Sequence, residues 1–160
     1  MSEFMMPVDE EFAPYDHQLA QLRVPPHSTE AESSVLGGLL LDNQAWDRVG
    51  DLLIESDFYR FEHRLIYAGI AKLVNASKPA DVITVYEHLQ SIGKSEEVGG
   101  LAYLNALAQY VPSASNIRRY AEIVRERAIL RKLVTASDEL ATAAFNTQGR
   151  PVDQILDEAA

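Results

Sequence analysis

From Thr29 onward, apolar residues recur at steps of three and four, the period of a helix that buries one face. Val35, Leu36, Leu39 and Leu40 share a face behind Thr29 and Glu32. That pair has the spacing of a capping box, in which two orphan backbone donors at a helix start are satisfied reciprocally. Gly37-Gly38 in mid-helix costs about 1 kcal/mol per Gly relative to Ala and predicts the close approach of another helix. Asn43 predicts a restart, carrying Ala45, Trp46, Val49, Leu52 and Leu53, with Ser56-Asp57 ending that unit and capping the next. A third helix is predicted from about Tyr59 to Asn75, with Leu65, Ile66, Ile70, Leu73 and Val74 inward and a turn at Ala76 to Pro79. Val82 to Tyr86 has the composition of a strand. However, Thr84 and Glu87 repeat the capping-box spacing and Val85, Leu89 and Ile92 follow at helical steps, so a short helix from about Thr84 to Ser91 is predicted. A loop closes at Gly99-Gly100, and Leu101, Leu104, Leu107 and Ala108 predict a fifth helix that Pro112 stops.

The last segment differs in kind. No Gly or Pro interrupts Ser115 to Phe145, and Ile117, Tyr120, Ala121, Val124, Ala128, Leu133, Val134 and Leu140 recur at three and four. A helix of ~30 residues is ~45 Å long. Asn146 to Pro151 makes a turn, and Val152, Ile155 and Leu156 begin a returning helix. The result is a helical hairpin whose apolar stripe exceeds what ten residues of partner helix can cover. A second molecule, or further chain, has to shelter the rest. With every strand reading displaced, the fold class is all-α. The organisation reads as a flexible acidic tail over 1–21, a compact helical head over 22–113 and a helical hairpin over 114–160 whose second helix is truncated. Pro25-Pro26 marks where the ordered domain begins.

Composition narrows the chemistry. Hydrophobic residues make up 47% of 160, enough for a real core. With no Cys there can be no disulfide, thiolate metal site or thiol nucleophile. No leader pattern and no membrane-length apolar run is present, which predicts a soluble, cytoplasmic chain. The net charge of −10 has the wrong sign for a protein that binds nucleic acid mainly through phosphates. One segment departs from that average. Arg118, Arg119, Arg125, Arg127, Arg131 and Lys132 stand against Glu122 and Glu126, so the stretch is +4 and the remainder −14. It reads either as the solvated face of a long helix or as a surface for an acidic protein partner or nucleic acid.

No catalytic constellation emerges. Gly93-Lys94-Ser95 resembles the end of a phosphate-binding loop, but His88 occupies the position that needs the first Gly, and a helix precedes it where a strand is required. His17, His27, His63 and His88 are widely separated and lack metal-ligand spacing, so no metal site is expected. Tyr67, Tyr86, Tyr103, Tyr110 and Tyr120 fall on or beside helical apolar faces, where core packing accounts for most of them.

Seven blocks, in order, carry a resemblance. They run Val24-Pro25-Pro26-His27-Ser28-Thr29-Glu30-Ala31-Glu32, Val35-Leu36-Gly37-Gly38, Asp57-Phe58-Tyr59 and Pro79-Ala80-Asp81-Val82-Ile83-Thr84. Val98-Gly99-Gly100-Leu101-Ala102-Tyr103-Leu104, Pro112-Ser113-Ala114-Ser115-Asn116-Ile117 and Tyr120-Ala121-Glu122-Ile123-Val124-Arg125-Glu126-Arg127 complete them. Together they resemble the amino-terminal domain of the DnaB-type replicative DNA helicase, over about Leu22 to Ala160. The sequence departs from that family at Gly93-Lys94-Ser95-Glu96, where an aliphatic residue is usual near Ser95.

The resemblance implies a helical head and hairpin acting in assembly and recruitment, with no catalytic residue and no cofactor in this stretch. ATP and Mg²⁺ sites, helicase activity and most DNA contacts would lie in a RecA-like domain beyond Ala160. It also implies a homodimer of this domain, a trimer of dimers in the hexamer, and docking of the primase carboxy-terminal helical domain and a helicase loader at the replication fork. On matching positions it places a primase surface at Glu97, Tyr103, Arg131, Val134 and Leu140, and pairing between hairpins at Ile117, Tyr120, Ala121, Val124 and Ala128.

Overall fold

The computed structural model describes residues 24–160, so the expected tail over 1–21 lies outside the described residues. Within them every regular element is helical: α1 (Thr29–Leu41), α2 (Trp46–Val49), α3 (Phe61–Asn75), α4 (Val82–Ser91), α5 (Gly100–Tyr110), α6 (Ile117–Phe145) and α7 (Val152–Ala159). Short 3-10 turns at Asn43–Ala45 and Glu55–Asp57 complete the order.

The sequence pattern gives α1 one inward face, but the fold buries it on all sides, from Ala31 to Leu40 without a break. It is the central helix, packed by α3, α5 and α6. A helix surrounded by others needs small residues where neighbours come closest, and Gly37-Gly38 supplies them. A Cβ on Gly37 would lie 2.2 Å from the Leu107 carbonyl oxygen of α5, and one on Gly38 would lie 3.0 Å from Ile117 Cδ1 of α6. The expected close approach is therefore double, one helix against each glycine. Val35, Leu36 and Leu39 join Phe58, Ile66, Ile70, Leu89, Leu104 and Ile117 in a single core, each fully buried side chain contributing about 1.5–3 kcal/mol.

Helix starts depart from expectation in instructive ways. The Thr29–Glu32 box does not form, because Ser28 is the N-cap and its Oγ accepts from Ala31 N at 3.2 Å. Glu32 is instead buried and spent elsewhere. The box at Thr84–Glu87 sits one step earlier: Asp81 is the N-cap, its carboxylate accepts from Thr84 N, and Thr84 Oγ1 accepts from Asp81 N, both at 2.9 Å. The helix accordingly begins at Val82. Asp57 does not cap α3. It accepts the Ile54 N–H at 2.8 Å, and α3 starts at Phe61 behind Arg60, which makes no side-chain cap. Asn43 does more than restart a helix. Its amide accepts from Ala80 N and donates to Ala80 O, both at 2.8 Å, pinning the turn before α4 to the end of α1.

The 29-residue α6 belongs to two neighbourhoods. Ile117, Ala121, Val124 and Ala128 are buried against α1 and the head, and Tyr120 is partly buried beside them. Of the five residues expected to pair one hairpin with another, four are therefore covered by their own chain and Tyr120 is covered only in part. Beyond Ala128 no residue of α6 is buried.

Candidate docking surface

Tyr103 lies on the first turns of α5, just after Gly99 and Gly100, whose φ values of +99° and +67° fit the left-handed region that glycine adopts without strain. A Cβ on Gly99 would lie 2.8 Å from the Tyr103 Cβ, so the glycine also makes room for the tyrosine. The ring forms one wall of a shallow cleft of about 340 Å³ shared with Arg60, Glu62, Glu96, Glu97 and Val98. Arg60 and Glu62 are ion-paired at 2.5 Å, and exposed Glu97 faces Lys94 at 3.4 Å. Burial pushes the Tyr103 phenol above its usual range; Arg60 opposes the shift and Glu62 adds to it.

Behind Tyr103 stands a pair that no local spacing connects. His63 is fully buried on α3, and its Nε2 meets Tyr103 Oη at 2.5 Å. Its Nδ1 lies 2.7 Å from Oε1 of Glu32, itself buried on α1. Glu32 also accepts backbone N–H groups, Tyr59 at 2.8 Å on Oε2 and Arg60 at 3.4 Å on Oε1. A carboxylate oxygen can only accept, so Nδ1–H donates to Glu32, and in the neutral imidazole this leaves Nε2 to accept from the tyrosine hydroxyl. The three partners lie 31 and 40 residues apart in the chain, too far for any helical spacing to announce them.

Arg131 is half-buried at the middle of α6 and ties three segments together. Its Nη1 donates to Pro26 O at 2.9 Å, its Nη2 donates to Asp57 O at 2.7 Å, and its guanidinium lies 5.5 Å from the Tyr59 ring centroid. His27 stacks on the same Tyr59 ring, with centroids 4.2 Å apart. Nearby, Arg125 pairs with buried Asp57 at 2.8 Å. Burial lowers the Arg131 guanidinium from its usual value, with Glu32 opposing that shift. Arg131 is thus chiefly an internal clamp, with part of its side chain left at the surface.

Much of the basic segment is similarly occupied. Arg118 donates to Arg48 O at 3.1 Å and Arg119 lies 3.8 Å from Glu126. With Arg125 and Arg131 also engaged, the stretch is not an open track of free cations, which weakens the nucleic-acid reading. Among the described residues there is no group of three or more His, Asp or Glu suited to a metal ion. No helix among them is long and apolar enough to cross a membrane.

The outer side of α6 carries a run of exposed apolar residues. Leu130 follows Ala128 by two residues and so lies about 200° round the helix from the head-facing line. Leu130, Leu133, Leu140 and Ala144, with Ser137 between, repeat at three and four on that outer side. Ile129, Leu130, Leu133, Val134 and Leu140 are all exposed, Leu133 to 58%. α7 returns alongside with Val152 and Leu156 also exposed, leaving a cleft of about 590 Å³ lined in part by Leu140, Ala143 and Ile155. The five carried-over positions consequently divide. Glu97 and Tyr103 share one cleft, Arg131 clamps the head to α6, and Val134 and Leu140 lie farther along the hairpin.

The fold is thus an all-helical head that carries a long, partly uncovered hairpin, with buried Glu32, Asp57 and His63 used for internal fixing. Residues 24–126 match the sequence profile of the DnaB-like helicase N terminal domain, and the chain belongs to that family. It is 47% identical over 144 residues to the replicative DNA helicase DnaB of Haemophilus influenzae, a match covering 90% of this chain and 31% of that protein. The chain therefore spans about a third of the length of that relative. Among solved structures, the N-terminal domain of DnaB helicase from Mycobacterium tuberculosis superposes with a TM-score of 0.82 at 39% identity, covering 84% of this chain and 94% of that one. The corresponding domain from Helicobacter pylori, described together with its interactions with primase, gives a TM-score of 0.61 at 25% identity over 73% of this chain and 91% of that one. The all-α expectation and the family resemblance both hold.

Proposed function

We propose that this chain is the assembly and recruitment tier of a hexameric replicative helicase, in which hairpins pair between subunits and the collar docks primase and a helicase loader. The carrying observation is the exposed stripe of Leu130, Leu133 and Leu140 on the side of α6 opposite the head. A run of this kind on a monomer is a surface meant for another chain, and its steps of three and four suit helix-to-helix packing. The pairing surface is thus moved from Ile117, Tyr120, Ala121, Val124 and Ala128 to this outer stripe. Primase is assigned to the Tyr103–Glu97 cleft and to Val134 and Leu140, with Arg131 holding the two regions in register. Tyr and Arg are enriched among the side chains that carry most of an interface's binding energy. The relative from Helicobacter pylori, described with its interactions with primase, supports primase docking on this domain.

ATP hydrolysis with Mg²⁺, unwinding and the main DNA contacts are assigned to the remainder of a full-length protein of the family. Sedimentation at tens of micromolar, followed by co-purification with the primase of the same organism, tests the reading. A strict monomer that retains no primase would remove both halves of it.

A further inference from the structure

Burying a carboxylate and an imidazole is expensive unless both are fully bonded, and apolar replacements of similar size are often no less stable. Glu32 and His63 are both buried, both satisfied, and neither serves a metal or a catalytic step among the described residues. What their arrangement accomplishes lies at the surface. His63 Nε2 accepts the Tyr103 hydroxyl, and the two rings lie within 11° of parallel at 5.9 Å. Gly99 closes on the tyrosine at its Cβ end. The ring is therefore held at its base and at its tip while its flank borders the cleft with Glu97. An aromatic anchor whose rotamer is already fixed loses less freedom when a partner lands on it.

We infer that Glu32 and His63 are positioning residues for docking at Tyr103: Glu32 orients the imidazole, and the imidazole holds the phenol in its partner-ready position. The inference rests on the docking role of Tyr103 proposed above. Glu32 adds a second constraint from the same carboxylate. Through the Tyr59 N–H it fixes the residue whose ring lies beneath Arg131, so both ends of the docking surface are referenced to one buried group.

The test uses the whole 160-residue chain and the primase of the same organism, with affinity read by calorimetry and helicity by circular dichroism. Tyr103→Phe keeps the ring and loses only the bond to His63, so primase binding weakens about fivefold, the worth of one net hydrogen bond. His63→Leu gives a similar loss, whereas His63→Gln, whose amide reaches the position of Nε2, recovers to within about twofold. The double variant Tyr103→Phe/His63→Leu binds no more weakly than either single one, because both remove the same bond.

A purely structural role would lower the melting temperature of the His63 variants and leave the affinity of the folded protein unchanged. That result, alongside weakened binding by Tyr103→Ala, overturns the positioning role and leaves the docking surface standing. Fully multiplied losses in the double variant overturn it too. Unchanged binding by Tyr103→Ala removes both readings together. Should His63→Leu fail to fold, Tyr103→Phe with His63→Gln decides the matter, since neither removes core volume.

Discussion

Gly37 of α1 passes so close to Leu107 of α5 that a methyl group on the glycine would stand 2.2 Å from the leucine carbonyl oxygen. Backbone cannot retreat as a flexible side chain can. Gly37→Ala therefore has to separate two central helices, and the cost exceeds the 1–3 kcal/mol typical of overpacking, minus up to ~1 kcal/mol returned by better helix propensity. Gly38→Ala meets only the end of the Ile117 side chain at 3.0 Å and costs less, on the order of 1 kcal/mol. Urea denaturation of the two variants checks the order; equal stabilities would mean that α1 and α5 are not packed as described.

Asp57→Ala is a second stability prediction. The substitution strips Arg125 of its carboxylate partner and leaves the Ile54 N–H without an acceptor. Each net hydrogen bond lost costs about 0.5–1.5 kcal/mol, and one to a charged group about 1.5–3 kcal/mol. The exposed pair Lys94–Glu97, by contrast, contributes about 0–1 kcal/mol, so Lys94→Ala leaves the melting temperature nearly unchanged. A melt showing similar losses for both would refute the distinction drawn from burial.

Burial pushes the Tyr67 phenol well above its usual 10.0, with Asp57 and Asp51 adding to the shift. As pH climbs past that value the unfolded chain releases this proton while the folded chain keeps it. Alkali therefore favours the unfolded state and stability falls. Tyr67→Phe is less stable at neutral pH by roughly 1–3 kcal/mol, because the Leu53 carbonyl loses the hydroxyl that donates to it at 3.0 Å. It also declines less steeply between pH 9 and 11, roughly the range around a free phenol's titration. Parallel curves for the two proteins would contradict the assignment. Some slope survives in the variant, since the Tyr103 phenol is raised for the same reason.

Most of the fold was legible from helical period alone. The break at Pro112, the turn over Asn146 to Pro151, the glycine pair in α1 and the uninterrupted run to Phe145 all act over neighbouring residues, where spacing carries information. The differences have two origins. At Thr29 and at Thr84–Glu87 a nearby residue, Ser28 or Asp81, is the cap instead, whereas Glu32 and Asp57 are carboxylates for which tertiary partners compete. Glu32 serves His63 and two backbone donors of the next segment, and Asp57 serves Arg125. Likewise, Ile117, Ala121, Val124 and Ala128 announced an apolar face correctly without saying what covers it, because a periodic stripe looks the same whether its own head or another subunit lies against it.

The exposed half of α6 yields a prediction about association. Leu133→Asp places a charge on the outer stripe without touching the head core, so helicity and melting temperature stay close to those of the native chain while self-association falls by tenfold or more, about 1.4 kcal/mol per decade. Sedimentation velocity over a concentration series reads the change. An unaltered distribution would mean that copies of the chain do not meet along this line.

Primase docking makes a separate demand. Tyr103→Ala and Val134→Asp each weaken primase binding, a hot-spot truncation costing about 2 kcal/mol or more, with the helical circular dichroism unchanged. Calorimetric titration measures both, and native affinity in the pair would dismiss the surface.

No glycine or proline interrupts α6, and its last buried residue is Ala128, so the ~25 Å from there to Phe145 runs on as a stiff arm. Arg131 stands at its fulcrum, gripping both the chain before α1 and the turn before α3. Whatever takes hold of the far end of such a lever works directly on the mounting of the central helix.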